Sequence, residues 1–367
     1  MRESVRKVGQ RFGIGFQGHE ASLDVKRMIR DFGVGTVILF ARNVDSPEQV
    51  AELVRELQSV ARDAGHDLPL LVAVDQEGGR VARLKEPWTL WPPLRVVGAA
   101  GSEDYARRMG AALAAELLAC GIRCDFAPVM DVDTNPKNTV IGDRSFGADP
   151  EQVGRLGAAM IRGLQESGVI ACAKHFPGHG DTDLDSHFDL PAVDHSLSRL
   201  EDVELRPFRH AIQAKVAMIM TTHVLVRELD AELPATLSPR VITELLRGKM
   251  KYGGVIVTDD LEMKAVAKSW RPSESAVLAA LAGCDLLAYC ADHGAQVEAI
   301  EALIRALESE TIRYADMDDA CERLKRLKQR FSLPHLDPDP KAARLAAGVG
   351  ERWALSREIR ERAGLSA

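Results

Sequence analysis

Eight short apolar runs of strand length, separated by longer stretches of helical periodicity, leave this chain few folds to adopt. The runs are 12–18, 36–41, 70–76, 123–132, 169–176, 217–224, 254–261 and 285–290. Several are almost continuously apolar rather than alternating, as expected of parallel strands covered on both faces. The segments between them read as amphipathic helices: 47–64, 102–119, 150–165, 200–214, 238–251, 273–282 and 293–308. In the first, Val50, Leu53, Val54 and Leu57 recur at i, i+3, i+4 and i+7 behind a Ser46 N-cap and Pro47 at the first helical position. Repeated βα units predict an α/β chain whose strands close into a (β/α)8 barrel of the TIM type. An open doubly wound sheet is the rival, weakened by the lack of a G-x-G-x-x-G turn after the first run. The barrel is expected over residues 1–312. Residues 313–367, with periodic segments at 316–331 and 340–365, are expected as extra C-terminal helices packed on the barrel rather than as a separate domain.

Composition narrows the function classes. Of 367 residues, 46% are hydrophobic and 28% charged, which suits a globular chain with a large core and excludes disorder. The net charge is −7 and the basic residues are interspersed with acidic ones, so neither nucleic acid nor an anionic membrane is an expected partner. The first residues lack the apolar stretch of a secretory signal, and no run approaches the roughly 18 apolar residues of a membrane span. A cytoplasmic location follows as the expectation. The six cysteines contain no CxxC pair and read as buried free thiols. Oligomeric state is left open, with a monomer the simplest expectation.

In a barrel of this class the chemistry sits at the C-terminal ends of the strands. Polar residues there form a short list. Run three ends in Asp75-Gln-Glu-Gly-Gly-Arg80-Val-Ala-Arg83, and run four in Asp131 and Asp133 with Arg144 downstream. Run five leads into Lys174-His175 and on to His187, run six into Thr222-His223, and run seven into Thr258-Asp259-Asp260. One such charge is ordinarily a solvated loop residue or a structural ion pair. Five strand ends aiming polar groups at one mouth point to a site instead.

The stretch 174–187 carries three histidines and three aspartates. Asp181, Asp183 and Asp185 have the spacing of an EF-hand loop, but Ser186 stands where that loop needs Gly and Ala192 where it needs Glu. A zinc site from His175, His179 and His187 stays open at this stage. The alternative is acid/base chemistry: side chains two apart in an extended stretch share a face, so Asp185 can orient His187 toward a substrate. Gly178 and Gly180 would let that loop move. Asp259, at the end of a buried strand, reads either as a nucleophile or as a structural partner of Lys174, with Asp260 expected to point away. Trp88 and Trp91 could form a platform under a sugar or cover apolar surface.

With these segments together, the chain resembles glycoside hydrolase family 3, in particular the single-domain bacterial β-N-acetylglucosaminidases (β-hexosaminidases) of peptidoglycan recycling. The matching stretches, in family order, are Ala73-Val-Asp75-Gln-Glu-Gly-Gly-Arg-Val, Phe126-Ala-Pro-Val-Met-Asp131-Val, Gly142-Asp-Arg144-Ser-Phe-Gly, Lys174-His-Phe-Pro-Gly-His-Gly-Asp-Thr182, Asp185-Ser-His187 and Thr258-Asp259-Asp-Leu-Glu-Met263. The resemblance implies a retaining glycosidase with Asp259 as nucleophile, His187 as acid/base and Asp185 as its partner. It implies that Asp75, Arg83, Arg144, Lys174 and His175 bind a nonreducing N-acetylglucosamine, carried on an anhydromuramic acid or its peptides. No metal and no cofactor are expected. Phosphate in place of water as acceptor, a metal-dependent hydrolase and an inactive sugar-binding protein are the remaining rivals.

Overall fold

The computed structural model describes residues 3–183, 190–332 and 337–365. Its main sheet has eight parallel strands: β1 (Phe12–Ile14), β2 (Thr36–Leu39), β3 (Leu71–Val74), β4 (Cys124–Asp125), β5 (Ile170–Phe176), β6 (Met218–Thr221), β7 (Val255–Val257) and β8 (Leu287–Tyr289). Neighbours follow chain order from β1 to β7, β8 pairs with β1 through Phe12–Leu287, and a parallel bridge from Val257 to Leu286 brings β7 to β8. The sheet closes into the expected (β/α)8 barrel.

The strands are apolar on both faces because they serve two cores. Ile38, Leu71, Ala73, Ile170, Cys172, Met218, Met220, Val255 and Val257 point inward and fill the barrel. Val37, Val72, Val74, Ala171, Ala173, Ile219 and Ile256 point outward under the surrounding helices. The period of two along each strand sorts them. Run four is the exception. Its ladder is regular only at Cys124–Asp125, since Pro128 brings no N–H, and Val129 meets Lys174 in an isolated bridge.

The helix Tyr314–Phe331 lies across the N-terminal end of the barrel, where Leu324, Leu327 and Phe331 join the inner core. Arg323 bonds Asp285 at 2.8 Å and Lys328 Nζ bonds the Gly35 carbonyl at 2.8 Å, both at strand beginnings. That helix plugs the end opposite the strand C-termini. The segment expected as helix over 340–365 is instead two helices, Pro340–Ala346 and Gly350–Arg362. Between them Gly348 has φ +62° and passes so close to the Pro87 carbonyl that a Cβ would stand 2.1 Å from its oxygen. Its N–H donates to the buried Glu116, which also accepts from the N–H and hydroxyl of Thr89. The break therefore docks the tail on the loop that holds Trp88 and Trp91. These are 1% and 3% exposed, so they cover the core and form no sugar platform. Among the described residues no helix is long and apolar enough to cross a membrane, and all six cysteines are free.

Candidate active site

A cavity of about 310 Å³ opens at the C-terminal ends of the strands. Asp75, Arg83, Arg144, Lys174, His175 and Asp259, separated by up to 184 positions in sequence, all line it. His187 and Asp185 lie outside the described residues.

Beyond β3 the chain turns back as a short hairpin, Gln76–Gly78 against Val81–Ala82. Gln76 fixes that hairpin: its side-chain oxygen accepts from the N–H groups of Arg83 and Leu84, while its own N–H donates to the buried Asp125. Asp75 and Glu77, two apart, both meet Lys174 from β5. Lys174 Nζ lies 2.8 Å from Asp75 Oδ1 and 2.6 Å from Glu77 Oε1. Arg144 grips Glu77 with two hydrogen bonds of 2.8 Å, a bidentate fork. Arg83 reaches Asp75 Oδ2 at 3.1 Å, and its buried Nε has no partner among the described residues.

These charges hold one another ionised. Burial works to raise the Glu77 carboxyl, but Arg144 and Lys174 overcome it and hold Glu77 far below the usual carboxylate range. Asp75 is lowered likewise, with burial outweighed by Lys174 and Arg83. Burial opposes the Lys174 and Arg144 charges, and the carboxylates beside them raise both groups above their ordinary values. Glu77 was not singled out from sequence, although the Asp75-x-Glu77 spacing contains the signal. With its side chain 1% exposed, it is the hub of the pair of cations. Glu77→Gln, which keeps the volume and leaves Lys174 and Arg144 short of one charge, is expected to lower stability by about 3–5 kcal/mol in denaturant unfolding. An unchanged midpoint would show that Glu77 is not the hub.

His175 is oriented by Asp131, another residue without an assigned role at the sequence level. Its Nδ1 lies 2.7 Å from Asp131 Oδ2, and its Nε2 accepts from Arg144 at 3.3 Å, which places the ring hydrogen on Nδ1. Asp131 also accepts from the N–H of His179 at 2.7 Å. Burial drives His179 down to about 4, so it is neutral at ordinary pH. Among the described residues no group of three His, Cys, Asp or Glu side chains is arranged to hold a metal, and the third histidine of the zinc alternative, His187, is outside them. Gly178 and Gly180 sit in close packing rather than in open space: a Cβ on Gly180 would stand 1.8 Å from the Val132 carbonyl oxygen.

Asp259 follows β7 and does not pair with Lys174, whose Nζ is taken by Asp75 and Glu77. Among the described residues its carboxylate accepts only the N–H of Asp260, at 2.9 Å. Burial opposes its charge, yet His175, His223 and Lys174 hold it below the ordinary aspartate value, so it is an ionised carboxylate facing the cavity. Asp260 lines the same cavity instead of pointing away. The strand ends at Val257, so side-chain alternation no longer governs position 260. Asp260 Oδ1 accepts from the N–H groups of Glu262 and Cys290, and burial together with the Glu262 charge pushes its carboxyl up to about 7.

Residues 5–327 match the profile described as the glycosyl hydrolase family 3 N terminal domain. The chain belongs to glycosyl hydrolase family 3. Similar proteins include a beta-hexosaminidase of Tolumonas auensis, 40% identical over 290 residues, covering 78% of this chain and 84% of that one. Beta-hexosaminidase A of Pseudoalteromonas piscicida is 36% identical over 330 residues, covering 84% of this chain. This family 3 chain spans only 55% of that relative's length. Among solved structures, a family 3 beta-N-acetylglucosaminidase from a Paenibacillus species superposes with a TM-score of 0.93 at 42% identity, over 99% of this chain and 69% of that one.

Proposed function

We propose that this family 3 chain is a retaining β-N-acetylglucosaminidase that removes nonreducing β-linked N-acetylglucosamine by double displacement. One observation carries the reading most directly: an ionised carboxylate, Asp259, stands at a strand end and faces a cavity lined by the cations Arg83, Arg144 and Lys174 and by the acidic side chains of Asp75, Glu77 and Asp260. The β-hexosaminidase relatives support the sugar class.

In the first step Asp259 attacks the anomeric carbon and the glycosidic C–O bond breaks, with His187 as imidazolium giving its proton to the departing oxygen. Asp185 orients His187. In the second step neutral His187 takes a proton from water, the water oxygen attacks the anomeric carbon, and Asp259 leaves as carboxylate with net retention. Most retaining enzymes use two carboxyl groups about 5–5.5 Å apart. A histidine acid exchanges protons near neutrality, at about 6.5 in its unperturbed form, and places no second negative charge beside Asp259.

Asp75 and the side chains of Arg83, Arg144, Lys174 and His175 form the subsite for the sugar's hydroxyl and acetamido groups. The unpartnered Arg83 Nε is a donor suited to a ligand oxygen. The aglycone in this reading is 1,6-anhydro-N-acetylmuramic acid, with or without peptide, in cytoplasmic cell-wall recycling. The expected result is hydrolysis of an aryl N-acetylglucosaminide at least about 100-fold faster than the aryl glucoside. Equal rates on both would overturn the sugar assignment. A glycosyl phosphate formed on adding phosphate would replace hydrolysis by phosphorolysis.

A further inference from the structure

We propose that His223 is a buried imidazolium that holds the Asp259–Asp260 turn by a hydrogen bond and sets one positive charge beside the nucleophile. This rests on the reading of Asp259 as nucleophile, and His223 is then a positioning residue that acts through that carboxylate.

The argument is a count of hydrogens. His223 is fully buried just beyond β6. Its Nε2 lies 2.9 Å from the carbonyl oxygen of Asp260, which can only accept, so Nε2 carries a hydrogen. Its Nδ1 lies 2.9 Å from Thr236 Oγ1. That hydroxyl has a single hydrogen and donates it to the Thr222 carbonyl at 2.9 Å, a carbonyl with no other donor among the described residues. Thr236 Oγ1 therefore accepts from both of its remaining neighbours, Thr221 Oγ1 at 2.8 Å and His223 Nδ1. Both ring nitrogens are donors, and a histidine with two N–H groups is a cation. A neutral ring would leave either the buried Thr222 carbonyl or Nδ1 without its hydrogen, the arrangement that buried polar groups avoid.

Burial opposes a charge on His223. The elements around it supply the compensation. The β7 turn brings Asp259 and Asp260, with Glu262 beside Asp260, while the β5 end brings the cation Lys174 and, across the cavity, the ring of His175 with Asp131 behind it. The Ala235–Leu237 turn contributes only the hydroxyl of Thr236. Of the carboxyl groups, Asp260 binds two backbone N–H groups and Asp259 one, so Asp259 is the anion with charge to spare for His223. Consistent with this, His223 is among the groups that hold Asp259 ionised against burial. The Asp260 peptide links them: its N–H binds Asp259 Oδ1 and its carbonyl binds His223.

The test begins with the wild-type chain carrying 15N-labelled histidine, with the His223 signals assigned from their loss in His223→Gln. At neutral pH both ring nitrogens are expected at protonated positions, and a single-N–H pattern for His223 overturns the proposal. The second measurement is the pH profile of kcat/KM for an aryl N-acetylglucosaminide. In His223→Gln the amide still donates to the Asp260 carbonyl but carries no charge, so the acidic limb is expected to move up by about one pH unit. KM should change less than kcat. A limb that stays in place in a folded variant also overturns the proposal. Failure of the wild type to turn over the glycoside would count against the proposed activity, while the nitrogen spectrum still decides the charge on His223.

Discussion

Asp259→Ala is expected to lower kcat/KM for an aryl N-acetylglucosaminide by on the order of 10⁵-fold, with little change in KM and none in fold. The size follows from the role. Among the described carboxyl groups lining the cavity, Asp75 and Glu77 are both clamped by Lys174, whereas Asp259 and Asp260 accept only backbone N–H groups. Removing Asp259 deletes the atom that forms the bond in the proposed mechanism. The vacated volume also makes a distinctive check available. Added azide should recover part of the rate and give the α-glycosyl azide, because a small anion can attack from the side where the carboxylate stood. In the intact enzyme a 2-fluoro sugar with a good leaving group should accumulate as an ester on the peptide containing Asp259. An ester on Asp260 or Asp75 would move the nucleophile there. The neighbour is a real competitor, since Asp260 lines the same cavity. Burial and the Glu262 charge push its carboxyl up to about 7, which disfavours the ionised form that a nucleophile needs.

The second large effect is selective rather than general. His187→Ala should slow cleavage of substrates with poor leaving groups by about 10³-fold, within the usual contribution of a positioned general acid. Dinitrophenyl glycosides, whose departing oxygen needs no proton, should form the glycosyl-enzyme almost normally. Water attack, which has lost its base, then becomes limiting, so a burst of phenolate followed by a slow steady rate is the signature to look for. Equal losses on both substrate types would remove His187 from the acid role. Asp185→Asn should reproduce a weakened form of the same pattern if its task is to orient His187.

Much of this was legible in the sequence because it depends on local chemistry. Strand-length apolar runs read as strands whichever residues flank them, and the strand end is a position defined by the run itself. Asp75, Lys174 and Asp259 could be placed at one mouth for that reason. Asp260 could not, since its direction depends on where β7 stops, and a pleat extrapolated past Val257 points it the wrong way. The break at Gly348 was partly hidden. Gly348 and Gly350 interrupt the periodicity of 340–365, but only the structure shows the chain turning there, with Gly348 at φ +62° against the Pro87 carbonyl.

The sequence by itself determined the barrel, the set of strand ends that face one mouth, and the family, because short-range periodicity and ordered motifs survive without any knowledge of contacts. The tertiary structure decided how the charges share their partners. Arg144 finds Glu77 across 67 positions and Lys174 finds Asp75 across 99, pairings that exist only once the strands have closed into a ring. It also decided that Asp259 is left unpaired by Lys174, that Trp88 and Trp91 are buried in the core, and that Tyr314–Phe331 stoppers the far end of the barrel. Coulomb attraction and burial act through distance in space, and the distance between two residues far apart in the chain is set by the closed fold.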